Sequence, residues 1–150
     1  MRAVIQRVSE ASVKIDDDIF SSIKKGLLVF LGVEESDTIE DMIWLSAKIS
    51  NMRIFPDKQG LMNLSVTDIN AEVLIVSQFT LLASTKKGNR PSFTKAAKPE
   101  SASKFYEIFC QQMERDLSRK VKTGRFAADM KISLVNDGPV TIIIDSHLRE

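Results

Sequence analysis

Leu27-Leu28-Val29-Phe30-Leu31-Gly32-Val33 is an unbroken apolar run. It is far short of the ~18 residues of a membrane span and has the length of a strand buried on both faces. Val73 to Val76 is a second such run, continuing into Ser77-Gln78-Phe79-Thr80-Leu81. Upstream, Arg2 to Val8 and Ala11 to Ile15 read as two short strands, followed by a solvated turn at Asp16-Asp17-Asp18. Between the two apolar runs, Thr38 is placed to N-cap a helix reaching about Asn51. Asp41 stands three residues on as in a capping box, and Met42, Leu45, Ile49 and Met52 form an apolar stripe. Asp57-Lys58-Gln59-Gly60 reads as a turn. Ser101 opens a second helix with Phe105, Ile108, Phe109, Met113 and Leu117 inward. Lys131 to Val135 and Val140 to Ile144 read as two strands joined by a plain turn at Asn136-Asp137-Gly138-Pro139. Strands, helix, strand, helix, strands in that order predict a layered α/β or α+β domain with a mixed sheet.

The chain has 150 residues, 43% apolar and 27% charged. That is one globular domain, residues 1–150, able to bury about 68–70% of its unfolded surface without staples. One cysteine, Cys110, excludes an intrachain disulfide and a zinc ribbon, and suits an inert core thiol. One histidine, His147, excludes a His-rich metal site. The opening residues lack the apolar core of a signal peptide, so a reducing, cytoplasmic home is expected. Net charge is only +1, but unevenly spread. Glu34 to Asp41 holds five acids and no base, and Lys86 to Lys98 holds five bases and no acid. Arg119, Lys120, Lys122 and Arg125 form a second basic group. Local basic surface on a neutral protein suits an anionic ligand without general stickiness to nucleic acid.

Three places offer chemistry. Ser77-Gln78-Phe79-Thr80 ends a buried strand, where adjacent backbone N–H groups suit an oxyanion. Ser77 and Thr80 equally suit the plain task of capping backbone groups. Between Ala71 and Glu100 the only acids are Glu72 and Glu100, with no histidine, so no local base serves a hydroxyl nucleophile. Lys86-Lys87-Gly88-Asn89-Arg90-Pro91-Ser92-Phe93 lacks the spacing of a phosphate-binding Walker loop and reads as a solvated basic loop or a clamp on a phosphate backbone. The third place is the Asn136–Thr141 turn.

Taken together, these motifs resemble the D-aminoacyl-tRNA deacylases from Met1 to about Asp145. The carriers are Met1-Arg2-Ala3-Val4-Ile5-Gln6-Arg7-Val8, Ser77-Gln78-Phe79-Thr80-Leu81, Lys87-Gly88 with Arg90-Pro91-Ser92-Phe93, and Asn136-Asp137-Gly138-Pro139-Val140-Thr141. Several weak motifs in the right order make the resemblance specific. The chain departs from it at Ala127 and at Asn70-Ala71, where glycines are common in the family. It also departs at Ala83-Ser84, where Ala-Asp is usual, and at Asn89, where arginine is common.

The resemblance implies a single three-layer α/β domain with mixed sheets and two main helices. It implies a homodimer with active sites at the subunit interface, acting on D-aminoacyl-tRNA, and also on glycyl-tRNA such as that mischarged on tRNA(Ala). It implies no metal or organic cofactor and no membrane partner. Ser77, Gln78, Phe79 and Thr80 are then catalytic, with the N–H groups of Phe79 and Thr80 holding the oxyanion. Gly138 and Pro139, joined by a cis bond, reject L-residues. Arg7 is expected to hold their loop, with Gln6, Phe126, Ala127, Met130 and Asn136 as pocket or support. Lys86, Lys87 and Arg90 bind tRNA. The alternatives are a non-catalytic RNA-binding module, a related deacylase with a trans Gly-Pro bond acting on L-alanyl-tRNA, and a serine hydrolase recruiting His147.

Overall fold

The structure is a computed structural model and describes residues 1–149. β1 runs unbroken from Arg2 to Ile15, not as two strands. Ser9 and Glu10 interrupt the apolar alternation and are exposed, but the ladder to the neighbouring strand continues past them. Asp16 and Asp17 both take positive φ, 52° and 65°, turning β1 tightly into β2 (Asp18–Ile23). Such a turn matches the twist of the strands it joins. β3 (Gly26–Gly32) is the buried strand expected from the Leu27 run.

α1 (Ile39–Asn51) starts as its sequence predicts. The Thr38 hydroxyl accepts from the Asp41 N–H, and the Asp41 carboxylate accepts from the Thr38 N–H at 3.0 Å. The short pair β4 (Phe55–Pro56) and β5 (Met62–Leu64) flanks the Asp57–Gly60 turn. β6 (Glu72–Ser77) lies parallel to β3. α2 spans Pro99–Leu117, beginning two residues before the expected Ser101 because Pro99 sits in its first turn, where a missing N–H costs nothing. Its buried stripe is Ala102, Tyr106, Phe109, Cys110, Met113 and Leu117; Ile108, expected inside, is exposed. β7 (Lys122–Thr123) pairs parallel with β6.

β8 (Lys131–Asp145) corrects the expectation of two strands and a hairpin turn. Both halves run antiparallel to β1 in one direction, Asn136 opposite Val8 and Thr141 opposite Gln6. Between those pairs β1 advances two residues and β8 five, so Asp137 to Val140 bulge from the ladder without reversing the chain.

The main sheet has the order β2-β1-β3-β6-β7, with β8 on the other side of β1. One face, carrying Ala3, Ile5, Leu27, Val29, Leu31, Val73 and Ile75, packs on both helices. Leu28, Leu74 and Val76 on the opposite face meet Val13, Ile15 and Ile23, with Ile132 and Leu134 against them. The sheet therefore curls back over itself and makes a third layer.

Candidate active site

Parallel strands in a sheet covered by helices commonly present ligands at their carboxyl ends. β6 ends there in Ser77, and the chain turns through a single 3₁₀ turn at Phe79–Leu82. Gly32 lets this turn close on β3, since a Cβ there would lie 3.2 Å from the Gln78 carbonyl. The Gln78 N–H donates to the Leu31 carbonyl at 2.7 Å, and the Leu81 N–H to that of Gln78. The N–H groups of Phe79 and Thr80 have no acceptor among the described residues. Two unpaired, adjacent donors at the start of a helical turn are what an oxyanion needs.

The Thr80 oxygen accepts a hydrogen bond from the Gln78 side-chain amide. No carboxylate or imidazole bonds to Thr80 among the described residues. His147 Nε2 faces Asp37 Oδ1 at 2.7 Å, so the chain's one imidazole does not serve Ser77 or Thr80. Asp37, Asp41 and His147 bring oxygen and nitrogen atoms within 4.8 Å of one another. Their carboxylates are already matched, Asp37 by the Met1 ammonium and Asp41 by Arg149.

Phe79 is 55% exposed and meets Phe93 edge to face, ring centroids 5.1 Å apart. That contact joins the turn to the basic loop. The loop is closed by paired Ser84–Ser92 backbone bonds and anchored by the Ala97 N–H on Val33. Lys86, Lys87 and Arg90 stand exposed on it, without ion-pair partners among the described residues. The second basic group behaves differently. Arg119 donates to the carbonyls of Val66 and Ala71, Lys120 pairs with Glu114, and Arg125 lies 4.9 Å over the Phe20 ring. Lys120, Lys122 and Arg125 are nonetheless exposed, so the group stays on the surface.

Phe126, Ala127 and Met130 belong to the segment after β7, fastened beside β6 where the Gly124 N–H meets the Ile75 carbonyl at 2.9 Å. A Cβ on Gly124 would fall 2.7 Å from Met130 Sδ, so the two pack closely. Ala127 takes φ +60° and Asn70 +52°. These are two of the positions where the resemblance has glycine, and the left-handed backbone is the physical reason. Tyr106 donates to the Ile75 carbonyl from below at 2.8 Å, and burial raises its pKa. Burial likewise pushes the Cys110 thiol up to about 12, which leaves it inert.

Gly138 and Pro139 are exposed on the β8 bulge. Their peptide bond is cis, as the resemblance implies, and not the trans form of the alternative reading. Arg7 is buried beneath them, its Nε donating to the Asp137 carbonyl at 2.8 Å and its Nη1 to that of Ile54. The structure does not bring this bulge to Thr80 within one chain. Ser77 aligns with Leu31 and through it with Ala3, whereas the bulge faces Arg7. Three strand spacings of ~4.8 Å and four residues of ~3.3 Å separate the two by about 20 Å.

One supporting residue escaped the sequence reading. Arg2 donates to the Leu81 carbonyl at 2.8 Å and makes a double contact with Asp145, tying the 3₁₀ turn to the end of β8. Its only signal was a charge at the start of an alternating strand.

A profile of the D-Tyr-tRNA(Tyr) deacylase family matches residues 4–145. The chain belongs to that family. Among curated relatives, the D-aminoacyl-tRNA deacylase of Flavobacterium psychrophilum is 62% identical over 150 residues, all of both chains. That of Parabacteroides distasonis is 57% identical over the same span. Among solved structures, a c-Myc DNA unwinding element binding protein superposes with TM-score 0.91 at 40% identity, covering 97% of this chain and 98% of its own. A probable eukaryotic D-amino acid tRNA deacylase shares the fold, with TM-score 0.83 at 16% identity over 95% of this chain and 97% of its own. The deacylase family is thus matched over the sheet, both helices, the Ser77 turn and the Gly138–Pro139 bulge alike. Among the described residues, no helix is long and apolar enough to cross a membrane.

Proposed function

We propose that the protein hydrolyses the ester joining a D-amino acid to the terminal ribose of tRNA, and glycyl-tRNA by the same site. Water adds to the ester carbonyl, whose oxygen takes up charge against the Phe79 and Thr80 N–H groups. Thr80 positions and does not attack, because no base stands beside it to take its proton and its oxygen accepts from the Gln78 amide. The vicinal ribose 2′-hydroxyl takes the proton released by the attacking water and passes its own to the departing 3′-oxygen as the ester C–O bond breaks. Gly138 and Pro139 supply backbone oxygens near the substrate ammonium, so that an L side chain would collide with backbone while a D side chain points away. Lys86, Lys87 and Arg90 draw the acceptor end of the tRNA. No cofactor enters this reading, and a cytoplasmic setting, where charged tRNA is made and used, belongs to it.

The observation that carries the reading is the sheet register, which sets the Ser77–Thr80 turn at the end of β6 level with Ala3, and the Gly138–Pro139 bulge of β8 opposite Arg7, with β3 and β1 between them. A site using both takes each from a different copy, so the working unit is a homodimer. β8 supports this as a long edge strand, paired on one side only, with Val135 and Ile143 exposed. Activity on D-tyrosyl-tRNA should be followed on dilution, alongside the mass from light scattering. Stereospecific activity per chain falls as the dimer dissociates. A monomer hydrolysing the D-ester at full rate and sparing the L-ester contradicts the shared site.

A further inference from the structure

The bulge in β8 leaves four consecutive residues, Asp137 to Val140, outside the ladder to β1. Their backbone groups need other partners. Arg7 serves the first of them through the Asp137 carbonyl. At the other end Val140 is held by a side chain, not a strand. The Asn136 amide accepts the Val140 N–H at 2.7 Å and donates to the Val140 carbonyl at 3.1 Å. This double contact works in one orientation of the amide only, with Oδ1 toward the N–H. Asn136 Nδ2 also donates to Thr141 Oγ1 at 3.2 Å, and Gln6 Nε2 donates to the same oxygen from β1, again at 3.2 Å. A hydroxyl oxygen has two lone pairs, and here each meets an N–H. Turning the amide over would set Oδ1 against the Val140 carbonyl and Nδ2 against the Val140 N–H, and would also take the N–H away from Thr141.

We infer that Thr141 is a positioning residue for stereospecificity. Its hydroxyl oxygen braces the Asn136 amide in the place where it holds the Val140 end of the Gly138–Pro139 bulge, and Gln6 ties that brace to β1. Thr141 touches no reacting atom. Its effect reaches the substrate through the place it gives to the backbone of Gly138 and Pro139. The inference rests on the role proposed above for that bulge. Because Gln6 is half-buried and Thr141 exposed, water satisfies their groups when the hydroxyl is removed, so the fold survives the test.

Thr141→Val keeps the β-branched shape and removes the acceptor; Thr141→Ser keeps the acceptor. Two quantities are measured, the ratio of D- to L-tyrosyl-tRNA hydrolysis and the hydrogen-exchange rate of the Val140 N–H. Thr141→Val is expected to lower the ratio at least tenfold and to speed Val140 exchange at least tenfold. Thr141→Ser is expected to restore both to within about threefold of the parent. Asn136→Ala, measured beside them, separates the two levels of the argument. If it lowers the ratio while Thr141→Val leaves both quantities unchanged, the Thr141 inference is overturned and the role of the bulge stands. If Val140 exchange quickens in every variant but no ratio changes, the bulge does not select chirality, and both readings fall.

Discussion

The Arg7 guanidinium joins the Asp137 carbonyl, 2.8 Å from Nε, to the Ile54 carbonyl beyond α1. One buried side chain thus fixes the first residue of the β8 bulge against the body of the fold. Arg7→Lys keeps the charge but lacks the planar fork that serves both oxygens. It should lower stability by about 1–3 kcal/mol, the cost of a buried acceptor left unpaired, and should reduce the D-to-L ratio. Thermal unfolding and paired deacylation assays measure the two effects. An unchanged ratio in a folded variant separates Arg7 from the selective element.

Phe79→Pro removes one of the two free N–H groups, at the first position of a helical turn where proline fits. A loss of about 10²–10³-fold in kcat is expected, as for the removal of one oxyanion donor. Phe79→Ala keeps the N–H and loses only the edge-to-face contact with Phe93, a contribution of about 0.5–1.5 kcal/mol. It should stay within roughly tenfold of the parent. Equal losses in both variants would assign the effect to the ring instead of the backbone.

The capping box gives a pH dependence of definite sign. Burial opposes ionisation of Asp41, but hydrogen bonds from Thr38 and Arg149 outweigh it and bring the pKa from 3.8 to about 2. A depressed folded value means that the stabilisation is fully present above the ordinary carboxyl range and is lost as pH falls toward 2. Asp41→Asn should therefore be less stable than the parent by on the order of 1–2 kcal/mol at neutral pH. That difference should shrink below about pH 4. Urea unfolding at several pH values reads it directly.

Much of the architecture was legible because local rules and tertiary packing agree. The Thr38 box, the Asp57 turn and the buried strands at Leu27 and Val73 each form where their residues point. β1 and β8 were misread for one shared reason. Ser9-Glu10 and Asn136-Asp137-Gly138-Pro139 look like breaks locally, but each strand continues because the other supplies its ladder, and register between distant strands is not written in either alone. The site was legible by resemblance in its motifs, not in its supports. Arg2 and Thr141 act through bonds to residues more than seventy positions away in one case and on a facing strand in the other.

Ala127 offers a test of backbone strain. At φ +60° an alanine is less favourable than glycine by roughly 1 kcal/mol. Ala127→Gly should raise Tm by about 2–4 °C. A fall in Tm would mean that the methyl contributes packing that outweighs its strain.

The most direct test of the whole account is deacylation of matched D-tyrosyl-tRNA and L-tyrosyl-tRNA by the purified protein in the presence of EDTA. Rapid loss of the D-ester with the L-ester spared is expected. Loss of both would remove chiral selection from Gly138 and Pro139. Persistence of both esters while tRNA still binds would contradict hydrolysis itself and favour an RNA-binding role.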